Sequence, residues 1–431
     1  GSGSITTNNI NVKDLDWQSV VSTNTTMVAG KGYFVDSSGG TITMTLPASP
    51  SVGDTVAVHS LDGETNVVTI ARNSSNIEGG TDDLSLGANY SAVTLVYSDA
   101  SNGWVRHNNE APDTFISATG GTATTSGNYK IHTFNSSSNF VVASVSSVSS
   151  ANEIDYLVVG GGGGAHNYNS GGAGAGGFRT SNATCMPAPL TSPLASPTGI
   201  TVTAQTYPIT VGAGGSASSL PSTAGTAGSN SIFSTITSAG GGVAGARGEN
   251  VAGGNGGSGG GGAGECGGAA GSGNTPPVSP SQGNNGGTGQ PGPDRGSGGG
   301  GGAGAAGANA TSHGNGGSGG AGSYTSINPA AGTPGPVGST KYFAGGGGGG
   351  TETSPSLGPG ALGSSGDGGA GGGGRAGPGN TSGPGAGVSG TANTGGGAGG
   401  STRQNCQGSP GYAVGGAGGS GVVILRYKYQ N

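Results

Sequence analysis

The chain has 431 residues and a net charge of −6, and only 7% of its side chains are charged, 5% aromatic and 30% hydrophobic. That length allows two or three domains, while the lack of any basic run removes the electrostatic footing for nucleic-acid binding. No stretch approaches the ~18 consecutive apolar residues of a membrane-spanning helix, so membrane insertion is not expected.

Residues 1–26 read as a lead-in, with Trp17 placed to anchor it on the module that follows. Residues 27–110 are a series of short β-branched or aromatic runs: 33–35, 41–46, 55–58, 66–70, 93–97 and 103–105. Turn residues at 37–40, 47–53, 62–63 and 79–80 separate them, a spacing that predicts an antiparallel β-sandwich or jelly-roll. Strict alternation over 41–46 puts Ile42, Met44 and Leu46 on one buried face. The pattern breaks near 108–113 at Glu110-Ala111-Pro112-Asp113. Residues 111–159 then hold further strands at 114–117, 129–134, 140–144 and 154–159, expected to form a platform that the closing run 422–429 joins. Two more strands are expected at 207–211 and 231–236.

Residues 160–431 form the glycine region. All but 15 of the 105 glycines lie at or after residue 160, in runs such as 160–164, 240–242, 259–262, 298–302, 345–350, 371–374 and 395–397. Such composition usually means a flexible linker. The alternative is a bundle of extended threefold polyglycine II helices, whose outward N–H and C=O groups pair only between neighbours. Runs of similar length, breaks rich in Pro, Asn and Ser, and β-branched strands at both ends favour the bundle. Collagen is excluded because 289–295 (GQPGPDR) breaks the triplet.

The motifs 155–165 (DYLVVGGGGGA), 177–180 (GFRT), 210–215 (TVGAGG), 231–242 (SIFSTITSAGGG) and 421–427 (GVVILRY) resemble the glycine-rich domain of marine phage tail fibres, notably those of cyanophages. Residues 32–104 resemble a β module repeated in such fibres. In kind, the glycine region is similar to the polyglycine II sandwich of T4-like phage adhesins. That resemblance implies a rigid bundle whose helix-joining loops at one end meet the host surface. Fibre modules of this kind are usually trimeric, so a homotrimer is expected; the adhesin sandwich itself is built from one chain.

Catalytic and metal chemistry find little support. Ser258 and Ser318 sit in G-x-S-x-G matches, but a segment one-third glycine produces these by chance and lacks the strand–turn–helix context. Carboxylates in the glycine region stand apart, without the close pair that glycoside hydrolysis needs. His59, His107, His132, His166 and His313 lack metal-ligand spacing and read as exposed or hydrogen-bonded surface residues. Asp82-Asp83 and the Asp14/Asp16 pair read as acidic turns, not calcium sites. Cys185, Cys266 and Cys406 also show no metal spacing, and one disulfide or three thiols are equally compatible with the sequence. No cofactor is expected.

The remaining candidates are breaks in the glycine pattern, at 165–170, 185–199, 274–285, 324–343, 351–362 and 401–412, because recognition usually resides in loops on a rigid scaffold. Within them His166, Tyr168, Tyr324, Tyr342, Phe343, Glu352, Arg403 and Tyr412 are the expected receptor contacts. The expected function is that of a non-enzymatic tail fibre or adhesin on the virion surface, assembled in the host cytoplasm. It would bind a host glycan or outer-membrane protein and other fibre, baseplate or capsid proteins. A capsid head fibre is the alternative, with an ice-binding or bacterial surface protein further behind.

Overall fold

The computed structural model describes residues 15–61, 66–87, 91–107, 115–146, 149–183, 192–218, 225–246, 251–264, 268–291, 295–311, 314–336, 340–353, 363–379, 385–404 and 413–430. The chain divides into two compact units, residues 1–113 and 114–430. Among the described residues the structure is all-β with one short 3-10 turn at Ser149–Asn152.

The first unit contains β1 (Asp16–Trp17), β2 (Thr25–Thr26), β3 (Lys31–Val35), β4 (Ile42–Thr45), β5 (Thr55–Ser60), β6 (Val68–Ala71), β7 (Leu84–Leu86), β8 (Ala92–Asp99) and β9 (Gly103–Arg106). Two sheets, β1-β3-β5-β8-β9 and β2-β4-β6-β7, enclose Met27, Tyr33, Val35, Leu95 and Trp104. Ile42, Met44 and Leu46 are buried together, as their alternation requires. The strand pairing corrects the antiparallel expectation, since β1/β3, β3/β5, β2/β4 and β4/β6 are all parallel. Turns that look like hairpin turns instead carry the chain to the opposite sheet. A strand therefore bonds to the one two places along, and the chain coils. Among the described strands of this unit, β5/β8, β6/β7 and β8/β9 pair antiparallel. Trp17 stacks on Phe34 with centroids 4.6 Å apart, over Gly32, where a Cβ would strike the indole at 2.7 Å.

The second unit opens with β10 (Ser117–Thr119), β11 (Thr122–Ser126), β12 (Tyr129–Phe134), β13 (Ser138–Ser144) and β14 (Glu153–Val159). It continues through β15 (Phe178–Ser181), β16 (Ala195–Ser196), β17 (Ile200–Thr201), β18 (Thr206–Thr210), β19 (Ser231–Phe233) and β20 (Ile236–Ser238). β21 (Ser323–Thr325), β22 (Thr333–Pro334), β23 (Lys341–Phe343), β24 (Glu352–Thr353), β25 (Arg403–Gln404) and β26 (Val422–Lys428) complete it. The expected single strand at 231–236 is a hairpin, β19/β20, that reverses at Ser234 with φ 51°.

The platform has two sheets. β26 enters between β12 and β14 of the sheet β11-β12-β26-β14-β15-β16, so the last strand locks the first ones. One face of that sheet packs on β10-β13-β18-β19-β20 through Phe134, Phe140, Tyr156, Tyr207, Phe233 and Tyr427. Leu157, Val159, Val422 and Ile424 point to the other face, against Phe178, Ala303, Ile327 and Phe343. Period-2 alternation thus gives one sheet two dry faces.

The glycine runs are extended rods. The N–H groups of Gly160, Gly161 and Gly162 donate to Gly177, Ser229 and Gly419, and those of Gly163, Gly164 and Ala165 donate to Gly174, Thr226 and Gly416. The carbonyls of Gly161, Gly162 and Gly163 accept from Gly241, Gly215 and Ala398. Partners therefore repeat every third residue, and the rod has six neighbours. The rod 345–350 is enclosed in the same way: it donates towards 371–374, 317–320 and 170–173, and it accepts from 397–400, 366–369 and 297–300. This is polyglycine II geometry with every outward group paired. A Cβ at Gly347 would lie 1.8 Å from the Ala398 carbonyl oxygen, and one at Gly300 1.9 Å from that of Ala173. The side-chain-free surface is what lets the backbones approach. Ala165, Ala173, Ala244 and Ala398 fill small fully buried gaps between rods.

The rods run alternately away from and back to the platform. Gly160 continues β14, so the turns at 166–170, 351–353 and 402–404 lie at the far end. The described turns at 273–283, 303–304, 323–336 and 391–394 lie at the platform end.

Candidate recognition surface at the far end of the bundle

The turn 166–170 joins two neighbouring rods. Tyr168 and Asn169 both lie in the left-handed region, with φ of 75° and 54°. Asn adopts that region readily, whereas a bulky residue does so rarely and at a cost of about 1–2 kcal/mol. Glycine would relieve the strain, so the turn keeps two side chains at a price in backbone energy. Asn169 ties the turn to the next rods: its Nδ2 donates to the Arg295 carbonyl at 3.1 Å, and the Ser297 hydroxyl donates to its Oδ1 at 3.1 Å. The hydroxyls of Ser170 and Ser401 both donate to the His166 carbonyl, at 2.8 and 3.1 Å.

Beside it, β24 and β25 pair in parallel, with Glu352 opposite Arg403. The Glu352 carboxylate is almost fully buried and bridges two guanidinium groups, Arg403 Nη1 at 3.2 Å and Arg295 Nη1 at 3.5 Å. The Arg403 guanidinium also lies over the Tyr168 ring, 4.6 Å from its centroid. The planar guanidinium stacks on the ring and pairs with the carboxylate at once, which a lysine ammonium could not do. Fixed side chains of this kind can stack against a ring and donate hydrogen bonds to an incoming surface.

The structure thus brings together His166, Tyr168, Glu352 and Arg403 from three separate stretches of sequence, and adds Arg295 and Asn169. His166, Asn169 and Glu352 are buried there and act as supports, which corrects His166 and Glu352 as contacts, and the half-buried Tyr168, Arg295 and Arg403 are the side chains left to meet a surface. Arg295 and Asn169 were missed because Arg295 was read only as the end of the collagen-breaking run and Asn169 was not singled out within the break at 165–170. The remaining expected contacts are corrected or lie elsewhere. Tyr342 and Phe343 are buried at the platform end, Tyr342 against Gly335 and Phe343 in the core beneath the central sheet. They cannot meet a receptor without unfolding. Tyr324, half-buried, packs on Tyr342 with centroids 5.4 Å apart, also at the platform end. Tyr412 lies outside the described residues, as do Cys185, Cys266, Cys406, His313 and all of 354–362 and 405–412.

The break at 274–285 also serves the platform end. Gln282 is buried there, its Oε1 accepting from Ala239 N at 2.9 Å and its Nε2 donating to the Pro276 carbonyl at 2.8 Å. His132 corrects the surface expectation for the histidines, because it is fully buried. Its Nδ1 lies 2.7 Å from the Gly120 carbonyl, which can only accept, so Nδ1 carries the proton and Nε2 accepts from the Tyr427 hydroxyl at 3.0 Å. Burial holds the His132 pKa below its ordinary value and pushes the Tyr427 hydroxyl up to about 12. Ser258 is a buried residue within a rod and Ser318 a rod residue on the flank. Among the described residues no group of three His, Cys, Asp or Glu side chains could hold a metal, and no helix is long and apolar enough to cross a membrane.

The sequence profile of a family described as a glycine-rich domain matches residues 135–428. No curated protein matches the chain.

Proposed function

The chain belongs to the glycine-rich domain family, and we propose that it is a structural virion protein of a phage, a tail fibre or adhesin whose far-end turns recognise a host receptor without catalysis. The supporting observation is the far-end group of residues itself. A bundle with six hydrogen-bonded neighbours around each inner rod is stiff, and its far end holds Tyr168, Arg403, Glu352 and Arg295 in one fixed arrangement. Rigid display lowers the entropy lost on binding. Strained non-glycine residues at 168 and 169, in a chain rich in glycine, fit selection for side chains instead of for backbone ease. The receptor in this reading is a host-surface glycan or outer-membrane protein, and the remainder of the particle supplies the structural partners.

The test is competition. Purified full-length chain is added to host cells before phage, and adsorption is measured. The wild-type chain is expected to block adsorption. A Tyr168→Ala/Arg403→Ala variant with unchanged thermal unfolding should block at least about tenfold less well, a loss of ~1.4 kcal/mol in binding. Equal blocking by both chains would overturn the recognition role.

A further inference from the structure

At the opposite end from those turns the second unit carries a cavity of about 380 Å³. One wall is the edge of the central sheet, where Thr122 and Thr124 stand two residues apart on β11 and Thr133 lies opposite Thr122 on β12. The other walls are the turns 328–332 and 391–394, with Val422 also lining the cavity. A smaller cavity of about 260 Å³ shares Thr122, Thr133 and Asn135, so the two lie side by side along the sheet edge.

The lining has a definite chemistry. Among the described residues that line the two cavities, none is charged. Hydroxyl and carboxamide groups predominate, and each can both donate and accept hydrogen bonds. Asn328, nearly buried, is fixed by donating from Nδ2 to Thr133 Oγ1 at 2.9 Å and accepting at Oδ1 from Ala330 N at 2.9 Å. Asn393 is held by Ser420, whose hydroxyl donates to its Oδ1 at 3.1 Å and accepts from its backbone N–H at 2.9 Å. Among the described residues its amide NH₂ has no hydrogen-bond partner. Ala331, Ala392 and Val422 supply the apolar patches.

We propose that this pair of cavities binds a neutral oligosaccharide. Sugar hydroxyls need partners that donate and accept interchangeably, which Thr and Asn provide, and the C–H faces of the ring need small apolar contacts. A volume of 380 Å³ falls within the ~300–1,000 Å³ of small-molecule sites, and the neighbouring cavity along the sheet edge suits a chain of rings more than a single one. The absence of lining charge disfavours uronic acids, sialic acids and phosphorylated sugars, because an anion there would lose hydration with no cation to receive it. This site is separate from the far-end surface and does not depend on the role proposed for it.

Isothermal titration of the full-length chain with maltose, lactose and cellobiose, and with sialyllactose as the charged comparison, tests the proposal. At least one neutral sugar is expected to bind saturably, and sialyllactose about tenfold more weakly or not at all. Ala392→Trp, which fills the cavity, should abolish binding. Thr122→Ala/Thr124→Ala, on an exposed edge strand and therefore tolerated by the fold, should weaken it several-fold. The proposal fails if no neutral sugar saturates, if sialyllactose binds as well, or if the Thr122→Ala/Thr124→Ala variant binds like wild type.

Discussion

Gly347 and Ala173 show how narrowly the bundle discriminates at single positions. Ala173 already carries a methyl group, in a buried gap shared with Ala165, Ala244 and Ala398. Gly347 faces the Ala398 carbonyl, and a methyl group there would sit 1.8 Å from its oxygen. Backbone on both sides cannot step aside as a flexible side chain would. Gly347→Ala is therefore expected to destabilise the second unit by about 3 kcal/mol, the upper end for overpacking, whereas Ala173→Gly should cost only about 1 kcal/mol. Urea unfolding of the two variants checks the contrast, and equal midpoints would contradict it. His132 and Tyr427 set the pH limits of the platform at the same scale. His132 has a folded pKa below the ordinary histidine value of 6.5, so the unfolded chain binds more protons and stability is lost as pH falls below 6.5. Tyr427 has a raised folded pKa of about 12, so stability is lost as pH rises from 10 towards 12. Chemical unfolding from pH 5 to 8 should show the acid loss, and His132→Gln, which cannot titrate, should flatten it.

Among the elements, β26 carries the most consequence. It pairs with β12 on one side and β14 on the other, and it contributes Val423, Leu425 and Tyr427 to one core and Val422 and Ile424 to another. Removal of 422–430 should abolish cooperative unfolding of the second unit, read by circular dichroism on heating. The strands were largely legible in the sequence because alternation such as 41–46 and runs such as 154–159 and 422–427 report burial directly. Their partners were not. Period 2 is the same whether a strand pairs in parallel or antiparallel, so the coil of β1 to β6 left no mark beyond its turns. Ser234 reverses a strand without glycine, which hid the β19/β20 hairpin. The far-end residues were half legible: Tyr168, Glu352 and Arg403 stood out as interruptions in a glycine background. Their meeting was not, because Arg403 and Tyr168 are joined only through the folded path of several intervening rods.

The second unit as a whole inverts the usual construction of a globular core. Its platform is held by buried apolar side chains, its bundle by main-chain hydrogen bonds between rods that have almost no side chains. Each such bond contributes only ~0.5–1.5 kcal/mol net, and each ordered glycine costs ~0.5–1 kcal/mol more than alanine. Only a lattice in which nearly every group is paired can hold together, so the bundle should open cooperatively and not rod by rod. The composition made the bundle legible. The six-neighbour arrangement, and the sorting of turns between two ends, came only from the fold.

Amide hydrogen exchange read by mass spectrometry or NMR tests that claim most directly. The N–H groups of 160–165, 298–302 and 345–350 should exchange slowly and with a common opening free energy, comparable to that of β14 and β26. Exchange of these glycines at the rate of an unstructured chain, with protection confined to the strands, would contradict the bundle and remove the scaffold on which the far-end surface rests.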